Sequence, residues 1–400
     1  MSKNSFQVPK IVPICYLRFV VMKYTKLLKV FGYMIILYGI LNLSAIVKDH
    51  LQLSKKFAAK SSTTYEISFA NFTQHYKYIL LPSSSTLSSC LRNGGRIDDL
   101  QRHEKRQEDL HQLHSIVLQI RISPLMIATV LSTANHTEER QAVRETWASE
   151  RESKFIKTHY VMVFFIISST SKNDLHNLQK EQEEYDDLIV TDLHEGFRNL
   201  HLKVYASMVF LQQYCPSAHF LMKVDDDVAL NLDRVVDSWK RDSESIRSIF
   251  CRVWIKMPPI RNINSKYYVP ENAWPNEYFP PYCSGPMYIM GKEAIQLILD
   301  YAPLFTPVTV DDVFYTGIIA EKAKIQRVHW EASVTFDFQK FSLECNKPKE
   351  VKLFVHSLHS PTRLRTVFQL MRNSKRNYDN DTIRICIVCL LILALFCACY

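Results

Sequence analysis

Apolar runs alternate with polar, helix-patterned stretches through the middle of the chain. "PLMIATVLS" (124–132), "HYVMVFFII" (159–167), "DLIVTD" (187–192) and "AHFLMKV" (218–224) are short apolar runs bounded by polar residues. Runs of that length predict buried strands. Between them, "TEERQAVRETWASE" (137–150) predicts a helix with Thr137 as its N-cap, and a polar helix is expected around 172–184. "RNLHLKVYASMVFLQQY" (198–214) predicts a third helix, with Leu200, Val204, Met208 and Leu211 along one face. Strands alternating with helices imply an α/β domain with a Rossmann-like, mainly parallel sheet flanked by helices. Ligands of such sheets bind beyond the carboxyl ends of the strands, where Asp225, Asp226 and Asp227 follow an apolar run.

The flanks read differently. Residues 31–47, "FGYMIILYGILNLSAIV", carry no charge and follow Lys23, Lys26 and Lys29. This predicts an uncleaved transmembrane signal anchor after a cytosolic N-terminus at 1–30. Residues 48–118 are Ser-, Thr-, Lys- and Gln-rich with weak periodicity and suit a stem. After 250, "MPPIRNINSKYYVPENAWPNEYFPPYCSGP" is loaded with Pro, Tyr, Trp and Asn, as a binding surface would be. The tail at 385–400 is apolar to its last residue and has no assigned role.

Composition narrows the chemistry. Of 400 residues, 47% are hydrophobic and 22% charged, which suits a folded core. The net charge of +9 is spread through mixed-sign stretches without a basic, aromatic-interleaved strand, so no nucleic-acid partner is expected. Only eight glycines occur, and no G-x-G-x-x-G, P-loop, G-x-S-x-G or H-E-x-x-H motif is present. Sequons at Asn71, Asn135 and Asn380, and Cys90, Cys215, Cys251, Cys283 and Cys345, agree with a luminal body.

Three constellations carry chemistry. Asp225 and Asp227 project to one side of an extended chain, so a D-x-D at a strand end can address a divalent cation and a diphosphate together. An acidic start to the helix expected in "NLDRVVDSWK" would use the same residues structurally. "VDDVFYTGI" (310–318) offers a carboxylate pair in an apolar frame, either a general base or a helix cap. "RQAVRETW" puts Arg140 and Arg144 on one helix face, suited to phosphate or to a surface ion pair.

In order and spacing, "ERQAVRETW", "EYDDLIVTDLHEGFRNLHLKVYASMVFLQQYCP", "FLMKVDDDV", "FPPYCSGPMYIM" and "VDDVFYTGI" resemble the β-1,3-glycosyltransferase family of galactosyl- and N-acetylglucosaminyltransferases. The resemblance runs from about 122 to 370. It implies a GT-A-type fold over a luminal glycosyltransferase domain at 119–376, in a single-pass type II Golgi membrane protein. It further implies Mn²⁺, a UDP-sugar donor, inversion, and a glycan acceptor on glycoprotein or glycolipid. Carried over by position, Asp227 becomes a metal ligand and Asp312 the catalytic base. Arg140, Arg144, Trp147, Lys203, Asp225 and Asp226 fall on the nucleotide side, and Lys223 matches a recurring lysine. His356 in "LFVHSLHSP" matches a late metal-site histidine with a one-residue spacing offset, which leaves His359 as a rival. Met287 replaces the second glycine of C-S-G-x-G-Y and is expected to reshape the acceptor site. Asp311 stands where the family has Glu. A non-catalytic, lectin-like or chaperone paralogue with the same fold is the alternative.

Overall fold

The four apolar runs form adjacent parallel strands. A computed structural model of the chain describes residues 63–91, 124–169, 171–239, 245–330, 334–335 and 353–372. The expected anchor at 31–47 and the tail at 385–400 lie outside them. Among the described residues, no helix is long and apolar enough to cross a membrane.

Strands β4 (Met126–Leu131), β5 (Val161–Ser168), β6 (Leu188–Thr191) and β7 (Phe220–Asp225) pair in parallel, in the order β7-β4-β5-β6. Every side chain of β4 and β6 is buried, as a sheet covered on both faces requires. The sheet continues as a mixed one. Strand β10 (Tyr282–Gly291) runs antiparallel between β7 and β9 (Ser248–Trp254), and β11 (Gln326–His329) adds to β9 in parallel. The central parallel half follows the expected alternation, while the antiparallel part comes from the aromatic half that showed no clear period.

Chain order reverses at β4. The chain steps outward to β5 and β6, then crosses back to lay β7 on the other side of β4, with Leu131 opposite Asp225. The carboxyl ends of β4 and β7 therefore flank a topological switch point, the usual ligand crevice of such sheets.

The helices differ from the sequence expectations in detail. The first, Thr137–Glu145, starts at Thr137 with His136 in the cap position, and stops before Trp147. The helix Leu200–Tyr214 is buried on nearly every side, so its apolar residues form no single stripe. It is sandwiched between the sheet and residues 63–91, where Tyr78 Oη donates to Ala206 O at 2.6 Å.

That contact revises the stem. Residues 63–91 form β1 (Tyr65–Ser68), β2 (Thr73–Tyr76), β3 (Tyr78–Leu80) and a short helix, Ser84–Ser88. Strand β3 pairs antiparallel with β6 as the edge of the central sheet, and Cys90 is bonded to Cys215 at the end of helix Leu200–Tyr214. This portion of the 48–118 stretch is part of the folded domain. A second disulfide, Cys251–Cys283, joins the neighbouring strands β9 and β10.

Candidate active site

At the end of β7 the three aspartates separate, because each meets different neighbours. Asp225 accepts from Lys223 Nζ at 2.5 Å. Asp226 turns back under the sheet: its Oδ2 accepts from Ser132 Oγ at 2.7 Å and faces His136 Nδ1 at 2.9 Å. Asp227 has His359 Nδ1 3.2 Å from its Oδ2 and about a fifth of its side chain exposed. Burial raises the Asp225 carboxyl to about 7, although Lys223 opposes the rise. Burial also raises Asp227, against the pull of His359. The Asp226 contact lifts the His136 imidazole above its ordinary value.

The second acidic pair closes the crevice from the other side. Asp312 caps the π-helix Val313–Ile319, its Oδ1 accepting from Val313 N at 2.8 Å. The cap expected at 311 or 312 is therefore Asp312, on a helix wound wider than α, a form that recurs at functional sites. Its other oxygen lies against Gly285 of β10: a Cβ there would stand 2.8 Å from Asp312 Oδ2. Burial and the adjacent Asp311 raise Asp312 to about 8. Asp311 is likewise raised by burial, and its Oδ2 has no hydrogen-bond partner among the described residues. The buried Tyr288 hydroxyl in the same region is also without one.

Lysines join these groups. Lys223 Nζ donates to Asp225 Oδ1 and, at 2.6 Å, to Gly285 O. Lys203 Nζ donates to Ser132 O at 2.8 Å and Glu195 Oε2 at 2.7 Å. Burial lowers Lys203, with the carboxylates of Glu195, Asp226 and Asp225 pulling the other way.

Arg140, Arg144 and Trp147, expected on the nucleotide side, all make contacts inside the protein. Arg140 is fully buried and forks onto Glu181, Nε to Oε1 at 2.7 Å and Nη2 to Oε2 at 2.6 Å. It also donates to Ser132 Oγ at 3.1 Å and Thr133 O at 2.6 Å. Arg144 spans Glu181 and Asp187 and lies over the Tyr185 ring, 4.0 Å from its centroid. Trp147 is buried, and its Nε1 donates to Val228 O at 3.1 Å. Both guanidiniums are occupied by internal carboxylates, Arg140 also holds the 132–134 loop, and Trp147 pins the chain just after Asp227.

Met287 is also displaced from its expected role. It pairs with Val224 of β7 and belongs to the same apolar core as Val130 and Phe165, whereas its neighbour Tyr288 shares the face of Lys223. Alternation along β10 therefore points Met287 away from the carboxylates.

The late histidines differ as well. His359 touches Asp227, while His356 is buried beside Ser357 and lowered to about 4, first by burial and then by Arg252 and His359. Among the described residues, no three His, Cys, Asp or Glu are gathered to hold a metal. The donors present at the crevice, Asp225, Asp227 and His359, are oxygen and imidazole groups that suit Mn²⁺. A hard cation of this kind is ordinarily completed by phosphate oxygens and water.

Beside the crevice, the 255–282 segment is folded rather than loose. Arg261 donates to Val269 O at 2.7 Å and to Trp274 O at 2.5 Å, and Thr309 Oγ1 donates to Tyr268 O at 2.8 Å. Tyr267 packs edge-on to Phe197 with centroids 5.3 Å apart, and Lys266 lies over both rings. Ile255, Ile260, Ile263, Tyr267 and Tyr278 are exposed on this segment.

Spacing alone did not reveal Ser132, His136, Glu181 or Glu195. Each acts through a partner eight or more residues away, so the available sequence signal was no more than a polar residue at a strand or helix end.

The chain is similar to known proteins over this region. The Galactosyltransferase family model matches residues 138–331, which include both acidic pairs and both lysines but neither late histidine. Mouse beta-1,3-galactosyltransferase 4 is 26% identical over 234 residues, covering 52% of this chain and 62% of that protein. Human beta-1,3-galactosyltransferase 1 is 28% identical over 254 residues, covering 63% of this chain and 75% of that one. A solved glycosyltransferase involved in glycosylation of the major capsid of PBCV-1 covers 62% of this chain and is itself covered in full, at 12% identity. Its TM-score of 0.36 is too low to bear on the chemistry.

Proposed function

We propose that this chain, whose residues 138–331 match the Galactosyltransferase family model, transfers galactose or an N-acetylhexosamine from a UDP-sugar to the 3-hydroxyl of an acceptor glycan. The observation that carries this reading is the buried Asp312 carboxylate, raised to about 8 and facing the Asp225–Asp227 strand end across Gly285 and Lys223. A general base needs both reach and proton affinity, and burial next to Asp311 supplies the affinity.

Transfer is a single displacement. Asp312 takes the proton of the acceptor 3-hydroxyl as its oxygen bonds to the anomeric carbon. The bond from that carbon to the diphosphate oxygen breaks, and UDP leaves with the electron pair. Asp227, with a late histidine, would hold Mn²⁺, whose chemistry is to offset charge on the departing diphosphate. Asp225 lies near the nucleotide and Asp226 keeps the 132–136 loop against the strand end. The 255–282 segment offers aromatic faces to the acceptor sugar, which is apolar on one face. A type II membrane protein with its catalytic domain in the Golgi lumen completes the reading, on a glycoprotein or glycolipid acceptor.

Met287, one of two features that favoured the paralogue reading, lies in the core. Incubating the full chain with a panel of UDP-sugars and β-linked acceptors, with and without Mn²⁺, tests the proposal. A Mn²⁺-dependent product with a new β-1,3 bond is expected. Binding of sugars with no transfer from any donor would return the paralogue.

A further inference from the structure

Lys223 is 1% exposed and is the nearest cation to an excess of buried acid. On its own strand it meets Asp225, and on β10 it donates to the carbonyl of Gly285 and lies 5.7 Å from the Tyr288 ring. From the loop before the π-helix, Asp311 and Asp312 act on it. Asp227, beyond the strand end, and His356, from the C-terminal segment, feel its charge too. Three carboxylates, the half-buried Asp225 and the buried Asp311 and Asp312, thus act on one ammonium.

Resting on the transferase reading above, we propose that Lys223 is a positioning residue of this site. Its ammonium clamps the strand end that bears the donor-side aspartates to the backbone carbonyl of Gly285, the residue against which Asp312 packs. It also fixes the charge against which Asp312 accepts its proton. The geometry calls for a lysine: two bonds at 2.5 and 2.6 Å leave from one nitrogen at the end of an unbranched stem. A neutral residue of the same length would keep the packing and lose both the clamp and the charge.

The experiment compares wild type, Lys223→Met, Lys223→Arg and Asp311→Asn in the full chain. One readout is the pH dependence of kcat/KM. The other is the titration of Asp312 itself, from the infrared stretch of its protonated carboxyl with Asp312→Asn as the blank. An opposite charge nearby lowers a carboxyl by about 1–3 units, and a like charge raises it. Lys223→Met should therefore move the acidic limb and the titration up by about one pH unit or more. Asp311→Asn should move both down, and a chain carrying Lys223→Met and Asp311→Asn together should return close to wild type. Lys223→Arg should hold the limb near its original place even if the rate falls. Should Lys223→Met not fold, Lys223→Gln, whose amide can keep a bond to Gly285 O, serves in its place. A uniform fall in kcat/KM with both midpoints unmoved would overturn the proposal and leave Lys223 a strut. Shifted titrations in a chain that transfers nothing would sustain the Lys223 coupling and sink the transferase reading.

Discussion

Two buried charge clusters lie within the same domain, and they differ in how they are balanced. In the first, Arg140 and Arg144 face Glu181 and Asp187, two cations to two anions, joined by five charged contacts between 2.6 and 2.8 Å. Burial pushes Glu181 up, but the two arginines outweigh it and hold that carboxyl below its ordinary value. Asp187 goes the other way, because its burial exceeds what Arg144 returns. In the second, Asp225, Asp311 and Asp312 share Lys223, and burial first, then the neighbouring acids, raise Asp225 and Asp312 to about 7 and about 8. The balanced cluster pairs each cation with an internal carboxylate, and through Arg140 it fixes a loop. The unbalanced one is stable when it keeps protons or gains positive charge from outside, as a site for chemistry requires.

Changes in the two clusters should therefore separate activity from stability. Asp312→Asn should cost about 10²- to 10⁴-fold in transfer, the usual worth of a general base, while UDP binding persists. Full transfer by that variant in a product assay would remove Asp312 from its role. Arg140→Ala leaves Glu181 buried beside fewer partners, and breaking such a pair costs about 3–5 kcal/mol. Chemical denaturation of that variant should show the loss; an unchanged midpoint would mean that the network is not structural.

The pH dependence sharpens the contrast. A carboxyl raised on folding holds its proton in the native state after the unfolded chain has lost it. Without added metal, stability should fall as pH climbs from the ordinary aspartate range through about 8, and Asp312→Asn should flatten that slope. Glu181 works in the opposite sense. Its pKa is depressed on folding, so its contribution is present above the ordinary glutamate range and lost as pH falls through its lower native value. Melting curves across pH for wild type and Asp312→Asn check both signs.

Much of the central sheet was legible because its strands are short apolar runs separated by helices of ordinary period. The strand-end aspartates could be read for the same reason: an apolar run that stops in three acids has few uses. Other features depended on distant partners. Arg140 reads as a phosphate fork until Glu181, 41 residues on, is seen to occupy it. Met287 reads as a change in the site until β10 pairing assigns it to the core face. Residues 63–91 look like a polar stem because their Tyr and Phe side chains are buried only by long-range partners. Tyr65 bonds to Tyr214, and Phe69 packs against Tyr205 and Phe314.

The close approach of Gly285 to Asp312 makes that glycine a one-methyl switch. A methyl at 285 would sit 2.8 Å from Asp312 Oδ2, and what yields first is the carboxylate tip, not a backbone segment. Gly285→Ala should thus give a folded chain with a displaced base: melting close to wild type, transfer greatly reduced, and nucleotide binding retained. Such a variant differs from the active chain by one carbon and two hydrogens, making it a matched blank for trapping donor and acceptor together.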